Sequence, residues 1–488
     1  MSLFQKLFKQ TFIYGLATVL PRMLSFILVP LYTKVMPTGA YGEVTLIFAW
    51  FAIFNVVLAY GMETAFFRYY NSENSRTKVV STSIISLGTT TFFFTLIALL
   101  FHNKLALLLN IDQEYIRYVI YILALDALAI IPFAWLRARQ KPKRYAIIKI
   151  VNVAVNLGLN VFFLLLLPNL IQENPENLLK TIYFPDFQIS YIFISNLIAS
   201  GLTLLLMGKC YILPKYTFDK VLWSQMVRYG LPVMIAGIAF TINEVFDRIM
   251  LSELLPAAIA KSEIGKYSAC YKIALFMTLF ATAFRLGIEP FFFSHSKSEN
   301  PQKAYAQITN YFVVLGSVIL LAVVVFADLL KKVIVLNADY WEAMPVVPII
   351  VLASFCLGIY HNLSVWYKVT DRTRFGAYIS IVGALITIGI NYFFIPLIGY
   401  YASAYATLAA YASMMSLSFY FGRKYYPIPY NLRKIGFYMG ISILFSALSF
   451  YVFKGNIYIG ASLLLVFLFL VYKMEFDLLK RIFIKNEH

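Results

Sequence analysis

Two stretches of this sequence repeat each other: residues 61–74 read GMETAFFRYYNSEN, and residues 287–300 read GIEPFFFSHSKSEN. They share a glycine, a glutamate, two phenylalanines and the closing Ser-Glu-Asn at equivalent positions. Each stretch closes a long apolar segment. Earlier in each copy, residues 14–16 and 229–231 both read Tyr-Gly-Leu. The repeat therefore predicts a duplicated chain, and the rest of the sequence can be read around its two copies.

The composition indicates a membrane protein. Of 488 residues, 61% are hydrophobic and 13% are charged, and the mean hydropathy is +0.76. A soluble core of this size cannot bury so much apolar surface. Apolar windows of about 20 residues predict fourteen transmembrane helices, at residues 11–33, 41–66, 79–101, 114–136, 146–167, 188–208, 229–252, 266–292, 304–328, 342–367, 375–395, 399–422, 435–453 and 457–473.

The repeat divides these helices into two six-helix lobes and two additional helices. We predict an N-terminal lobe at 1–214, a linker at 215–228, a C-terminal lobe at 229–422, and two further helices with a cytoplasmic tail at 423–488. Because six helices separate the copies, both lobes begin on the same side of the membrane and are related by an axis along the membrane normal. The apolar residues of the linker fall near one helical face, which is typical of a helix on the inner leaflet.

The basic residues are scattered in short clusters between apolar segments, although the net charge is +18. This distribution sets the orientation of a membrane protein and does not indicate a nucleic-acid partner. It predicts that the N- and C-termini are cytoplasmic. The densest cluster, residues 137–144, reads RARQKPKR. We interpret it as a topology anchor, with a lipid-headgroup site as the alternative.

Signatures of enzymes and metal sites are absent from the sequence. The histidines are dispersed, the three cysteines (Cys210, Cys270 and Cys356) lack metal-ligand spacing, and no Gly-rich phosphate loop or nucleophile elbow occurs. The longest predicted outside loop, residues 168–187, has about twenty residues, which leaves little room for a catalytic domain. The sequence therefore favours a transporter without a cofactor or metal over an enzyme.

Ionisable residues inside predicted helices are candidate functional residues, because burying charge in a membrane is costly. Arg22 in helix 1 and Lys272 in helix 8 have no acidic residue one turn away on their own helix. Each must therefore meet another helix, water or an anionic ligand. For Arg22 we favour a ligand or a cavity, whereas Lys272 lies nearer the outer end and could equally extend towards the membrane surface.

Two further bases have an acidic residue four positions away. Arg248 follows Glu244 by four residues, and Glu289 follows Arg285 by four. Each pair shares a helical face, so either self-neutralisation or a ligand-binding role is open for Arg248 and Arg285.

Two aspartates in the predicted helices complicate this pattern. Asp126 and Asp247 lack a base at the neighbouring positions of their own helix. Pairing across helices is one interpretation, and coupling to Na⁺ or H⁺ is the other.

Three asparagines recur every four residues in helix 5: Asn152, Asn156 and Asn160. This spacing gives one hydrogen-bonding stripe along an otherwise apolar helix. The stripe predicts either hydrogen bonds that hold helices together or a wall that faces a sugar.

Several short motifs, in this order, resemble one transporter family. Arg22 follows Pro21, residues 61–68 read GMETAFFR, residues 246–249 read FDRI, and residues 283–291 read AFRLGIEPF. With the six-plus-six-plus-two plan, they resemble the Wzx-type oligosaccharide flippases of the multidrug/oligosaccharidyl-lipid/polysaccharide exporter superfamily. The resemblance covers nearly the whole chain.

The resemblance implies a function. Such proteins move undecaprenyl-pyrophosphate-linked oligosaccharide from the inner to the outer leaflet of the bacterial inner membrane, for O-antigen of lipopolysaccharide, capsule or a related polysaccharide. Membrane lipids and a glycan polymerase or export machinery would be partners. Arg22 matches best as the base that holds the pyrophosphate, Arg248 and Arg285 match by motif, and Lys272 is the fourth candidate.

Two alternatives remain open from the sequence. A cation-coupled multidrug exporter of the same superfamily would use Asp126 and Asp247 as coupling acids. Drug exporters usually place an acidic residue in helix 1, however, and Arg22 in helix 1 of this chain argues against an organic cation as the substrate. A membrane polysaccharide polymerase or ligase is the second alternative, and the short outside loops weigh against it.

Overall fold

The computed structural model describes residues 23, 26–72, 76–174, 178–213, 215–294 and 299–484. Helices make up most of these residues, and no strand occurs among them. The chain folds into two compact units. Unit 1 comprises Met1–Gly265 and Thr387–Tyr400, and unit 2 comprises Lys266–Ile386 and Tyr401–His488.

Within the described residues, unit 1 contains ten whole helices and the first part of an eleventh, together with the segment Thr387–Tyr400. They are α1 Phe26–Val35, α2 Thr38–Ala59, α3 Met62–Ser72, α4 Arg76–Leu100, α5 His102–Leu108, α6 Gln113–Ala138, α7 Pro142–Val161, α8 Leu167–Glu173, α9 Gln188–Leu206, α10 Lys220–Leu254 and α11 Ala257–Tyr271.

Unit 2 contains the remaining described helices. They are the end of α11, then α12 Leu275–Ser294, α13 Pro301–Val325, α14 Ala327–Ile334, α15 Val347–Leu363, α16 Val365–Val369, α17 Arg374–Ile398, α18 Tyr400–Tyr425, α19 Leu432–Ala447 and α20 Ile457–Ile484. The last part of α17, from Thr387, belongs to unit 1.

Twelve helical segments of the described chain are long and apolar enough to cross a membrane. They coincide with twelve of the fourteen sequence-predicted spans. Of predicted helix 1, the structure describes the apolar helix α1, and most of the span lies outside the described residues. Predicted helix 12 is present as α18, but its many Ser, Thr and Tyr residues make it less apolar than the other spans. The count of fourteen stays a prediction.

The fifth span is longer than the sequence predicts. A π-helical segment, Phe162–Leu166, joins α7 to α8, so the helix continues past Pro168 to Glu173. Pro168 lies directly after this π-helical segment, whose wider turn changes the backbone hydrogen bonds where a proline lacks an N–H. The predicted outside loop at 168–187 is correspondingly shorter.

Residues 220–228 of the predicted linker form the first turns of the 35-residue helix α10. Asp219 caps this helix, since its Oδ1 accepts hydrogen bonds from the backbone N–H groups of Val221 and Leu222 at 3.1 and 3.0 Å. No helix-breaking residue follows until Gly230 and Pro232, where the helix continues. The linker therefore has no break between an interfacial segment and the seventh span.

A glycine contact fixes how α3 and α10 meet in unit 1. Gly61 separates α2 from α3 with φ of +71°, a conformation that glycine adopts without strain. A Cβ there would lie 2.1 Å from the carbonyl oxygen of Gly230 on α10. The repeated glycine at the head of the first stretch is thus needed for both the turn and the close approach of two backbones.

Candidate functional site

The repeated glutamates form equivalent ion pairs, one in each unit. In unit 1, Arg137 at the end of α6 donates to Glu63 on α3. In unit 2, Lys368 on α16 donates to Glu289 on α12 at 2.7 Å. Partners are separated by 74 residues in the first pair and by 79 in the second. Each pair therefore connects the Gly-x-Glu stretch to the helix two spans further on in the same copy.

The pair in unit 2 adds a partner that the sequence did not indicate. Lys368 reaches the carboxylate of Glu289 from another helix, and the choice between self-neutralisation and ligand binding for Arg285 stays a prediction. The pairing was missed because a base 79 residues away in the sequence gives no local signal. The repeat was the available clue, since an ion pair in one copy predicts its equivalent in the other.

Arg248 and Asp247 form a buried pair on α10. Arg248 Nη1 donates to Asp247 Oδ1 at 2.8 Å and to the backbone carbonyl of Glu244 at 3.0 Å. Asp247 is 3% exposed and Arg248 is 8% exposed. The expectation that Asp247 lacks a base on its own helix is therefore wrong. Adjacent residues point apart on a helix, but the arginine side chain is long enough to fold back onto its neighbour.

A polar contact next to this pair joins α10 to the end of α17 in unit 1. Thr387 Oγ1 donates to Asn243 Oδ1 at 3.0 Å, and both side chains are buried. Neither residue was predicted from the sequence to be functional. Their signal was the four-residue spacing of Asn243 with Asp247 and of Thr387 with Asn391, which places each pair on one helical face.

Asp126 is satisfied by neighbouring helices of unit 1. Ser200 Oγ on α9 donates to Asp126 Oδ1 at 2.8 Å. Lys149 on α7 attracts the same carboxylate electrostatically, and its Nζ lies 4.1 Å from the ring centroid of Phe133. This geometry agrees with the cross-helix interpretation of Asp126. Lys149 is a base that was not predicted from the sequence to take part.

The asparagine stripe on α7 bonds to neighbouring helices. Asn152 Nδ2 donates to Thr203 Oγ1 on α9 at 3.0 Å. Tyr32 on α1 donates through its hydroxyl to Asn160 Oδ1 at 2.9 Å, and Asn160 Nδ2 donates to Asn156 Oδ1 at 2.7 Å. Asn160 is fully buried. These bonds support the helix-joining interpretation, and a sugar-facing role stays a prediction.

The remaining candidate bases are placed as follows. Lys272 begins a 3₁₀ segment, Lys272–Ala274, that interrupts the span between α11 and α12, and such interruptions often mark hinges. Its side chain is half-buried, as is that of Arg285 on α12. Arg22 lies outside the described residues. The structure thus brings Arg248 to a carboxylate and places Lys272 and Arg285 on one span of unit 2.

The starts of α2 and α11 pack against each other in unit 1. Cβ atoms added at Gly42 and Gly265 would lie 1.7 Å from the Lys261 carbonyl oxygen and 1.9 Å from the Thr38 carbonyl oxygen, respectively. The hydroxyl oxygens of Thr38 and Ser262 are 2.8 Å apart. Only glycine permits backbones this close.

An ion cluster surrounds this crossing. Lys261 Nζ donates to Glu43 Oε2 at 3.0 Å and to Asp112 Oδ2 at 3.2 Å. The backbone N–H of Asp112 donates to Glu43 Oε1 at 3.2 Å, and Glu43 is 4% exposed. Glu43, Asp112 and Lys261 were not predicted as functional. By the predicted topology they lie at the outer side, where they tie α2 and the start of α6 to α11.

The family comparison covers most of the chain. A family model described as "Polysaccharide biosynthesis protein" matches residues 7–284, which is more than half of the sequence. A second model, MatE, matches residues 232–393. A comparison with curated proteins finds no match.

Solved structures of transporters are similar to this chain. The lipid II flippase MurJ in an inward closed conformation gives a TM-score of 0.73 at 15% identity, covering 96% of this chain and 100% of that one. An inward-facing multidrug resistance MATE family transporter of the MOP superfamily gives 0.65 at 13% identity, with 83% and 94% covered. A MOP superfamily transporter from Pyrococcus furiosus gives 0.60 at 13% identity, with 85% and 94% covered.

At such identities the likeness concerns the fold alone. It confirms the all-α exporter fold that the sequence predicts, whereas the location of the termini stays a prediction. The apolar helices and the family match agree on a multi-pass protein of the bacterial inner membrane. Because the family model described as "Polysaccharide biosynthesis protein" matches more than half of this sequence, the chain belongs to that family.

Proposed function

We propose that this protein is a flippase that moves undecaprenyl-pyrophosphate-linked oligosaccharide from the cytoplasmic to the outer leaflet. Membership in a polysaccharide biosynthesis family and a fold like that of a lipid II flippase support this reading. Transport would proceed by alternating access, with the lobes at 1–214 and 229–422 as the moving bodies. O-antigen or capsule would be the product, and a glycan polymerase or export machinery would receive it.

The observation that carries the proposal is that bases compensate five of the acids that lie within the spans. Five carboxylates each have a basic partner, four as ion pairs and one through electrostatic attraction: Glu43 with Lys261, Glu63 with Arg137, Asp126 with Lys149, Asp247 with Arg248, and Glu289 with Lys368. A carboxylate already matched by a base attracts an organic cation weakly. This pattern favours an anionic substrate over a cationic drug.

The phosphate contacts belong to four bases in this proposal: Arg22, Lys272, Arg248 and Arg285. A guanidinium presents a planar fork of donors that binds phosphate oxygens in pairs, and such charge-assisted bonds are about twice as strong as neutral ones. Arg22 is the principal anchor because its own helix offers no acid to neutralise it. Lys272 would act as a point charge beside the 3₁₀ interruption.

The direct test measures glycan at the cell surface at matched membrane levels of wild type, Arg22→Ala and Arg22→Lys. Arg22→Ala should stop flipping, and Arg22→Lys should leave partial activity because it keeps the charge and loses the fork. Lipid-linked oligosaccharide should accumulate in the inner leaflet of the alanine variant. Full glycan display by Arg22→Ala would remove the anchor role.

A cation-coupled multidrug exporter is the second candidate, favoured by the MatE match to residues 232–393. Purified protein in proteoliposomes separates the two. A flippase should translocate a fluorescent undecaprenyl-pyrophosphate oligosaccharide without accumulating ethidium, and an exporter should do the reverse under a Na⁺ or H⁺ gradient. Ethidium transport without lipid translocation would overturn the flippase proposal.

A further inference from the structure

Basic side chains from three helices gather at the face of unit 1 that is predicted to be cytoplasmic. Arg139 lies at the end of α6, Lys141 and Lys143 flank the start of α7, Arg144 follows in its first turn, and Lys209 lies in the 3₁₀ segment after α9. Residues 138–150 and 205–213 contain no Asp or Glu. We call these five bases the α6–α9 basic patch.

The backbone under this patch is held in one conformation. Gln140 has φ of +53°, and its N–H donates to the Arg137 carbonyl while the N–H of Lys141 donates to the Leu136 carbonyl at 3.0 Å. These bonds form a Schellman-type helix end. Pro142 then starts α7 without an intervening loop. The hydrogen-bonded turn therefore holds the backbone of these basic residues in a defined position.

Several of the basic side chains are also oriented by contacts. The Arg139 guanidinium lies 4.3 Å from the ring centroid of Trp135, and Arg144 Nη2 donates to the Leu206 carbonyl at 3.3 Å. Burial raises the pKa of the Cys210 thiol, and Arg144, Arg139 and Lys141 oppose that rise. Three bases at the α6–α7 turn therefore lie near Cys210, just after α9, and positive charge is concentrated there.

Exposed apolar side chains adjoin the charged patch on the same helices. Ile147 and Ile150 on α7 are 59% and 45% exposed, and Leu205 and Leu206 on α9 are 78% and 40% exposed. Because α7 and α9 pack side by side, these residues form an apolar surface that begins at the basic patch and extends into the predicted membrane. A molecule that fits has an anionic head and apolar chains.

We propose that the α6–α9 basic patch binds the phosphate headgroup of an anionic phospholipid of the cytoplasmic leaflet, whose acyl chains lie against the exposed apolar residues of α7 and α9. Lys and Arg near a membrane surface attract anionic lipids, and the fixed turn reduces the cost of ordering them. The acyl-chain surface distinguishes this ligand from a soluble phosphate. The assignment does not depend on the transported substrate.

The test uses purified full-length protein, delipidated in detergent and titrated with phosphatidylglycerol or phosphatidylcholine. Native mass spectrometry counts the bound lipids. The patch variant carries Arg139→Gln, Lys141→Gln and Lys143→Gln, all at exposed positions. The matched control carries Arg423→Gln, Lys424→Gln and Arg433→Gln, three exposed bases elsewhere on the predicted cytoplasmic side. A third variant, with Arg139→Lys, Lys141→Arg and Lys143→Arg, preserves the charge.

Wild type, control and the charge-preserving variant should bind phosphatidylglycerol more tightly than phosphatidylcholine. The patch variant should bind phosphatidylglycerol about tenfold more weakly or worse, because each Lys or Arg near an anionic headgroup contributes to the binding free energy. Equal affinity in the patch variant and wild type would overturn the proposal. So would displacement of the lipid by millimolar inorganic phosphate, which would reassign the patch to a phosphate without acyl chains.

Discussion

Lys368 Nζ donates to Glu289 Oε1 at 2.7 Å, and this pair is the second-copy equivalent of Arg137 with Glu63. The base differs between the copies, but both pairs tie the Gly-x-Glu helix to the helix two spans later. The side chains of Lys368 and Glu289 are 29% and 37% exposed. Pairs this exposed contribute about 0–1 kcal/mol to stability, so breaking one should change stability little and any larger effect should appear in activity.

Charge reversal tests this pair. Lys368→Glu should reduce glycan display, because it places two carboxylates together, while lowering the free energy of unfolding by about 1 kcal/mol or less. The double variant Lys368→Glu with Glu289→Lys should recover activity. Lys332→Glu, at an exposed base on α14, serves as the control. Wild-type activity in Lys368→Glu alone would exclude a role for the pair.

The glycine crossing of α2 and α11 can be opened by one methyl group. At Gly42 an added Cβ lies 1.7 Å from the Lys261 carbonyl oxygen, far inside the 3.4 Å of ordinary contact, so the two backbones must separate. A Thr38→Cys, Ser262→Cys pair should cross-link in an otherwise unchanged protein, since the native hydroxyls are 2.8 Å apart. Adding Gly42→Ala should lower the cross-link yield, measured by loss of maleimide labelling.

Gly39→Ala is the control for that experiment, because an added Cβ there meets no atom within 4 Å. It should leave the yield unchanged. Equal yields for Gly42→Ala and Gly39→Ala would mean that the crossing tolerates a side chain.

The buried carboxylate of Glu43 should depend on Lys261. Removing one partner of a buried pair costs about 3–5 kcal/mol, and the 37% exposure of Lys261 together with the 61% exposure of Asp112 reduces this. We expect Lys261→Gln to lower the free energy of unfolding by about 1–3 kcal/mol. Adding Glu43→Gln should restore part of the loss, as measured by thermal denaturation in detergent. A double variant less stable than the single would contradict this assignment.

The two aspartates allow a test of ion coupling. If Asp126 or Asp247 carries a coupling ion, Asp→Asn at that position should abolish the dependence of transport on a Na⁺ or H⁺ gradient at normal expression. The basic partners of both residues argue for a structural role instead. Unchanged gradient dependence in both variants would remove these acids from coupling.

Topology is tested with reporter fusions. Fusions after Asn174 and Asn337 should read as external, and fusions after Lys141 and Lys215 as cytoplasmic, because bases are retained on the cytoplasmic side. Asn174 follows the end of α8, and Asn337 precedes a 3₁₀ segment, so each fusion joins a helix end. A cytoplasmic signal at Asn174 would contradict the predicted arrangement.

The sequence by itself determined the membrane class, the all-α fold and the approximate position of most spans. It could do so because these features depend on local properties. A helix that crosses the hydrocarbon layer needs about 20 apolar residues in a row. Since no water is present there, the backbone N–H and C=O groups must bond to each other, which a helix achieves within one segment. The sequence also revealed the duplicated stretches at 61–74 and 287–300, in which Gly61 permits the turn before α3 and Glu63 and Glu289 each pair with a base.

Only the tertiary structure decided which charges meet. Lys368 reaches Glu289 across 79 residues, and Lys261 reaches Glu43 across 218. Arg248 turns to its neighbour Asp247. A sequence contains the spacing of residues on one helix, but contacts between helices depend on which faces pack and how closely. Gly42 and Gly265 permit one such approach, and the partners of Glu43 follow from it.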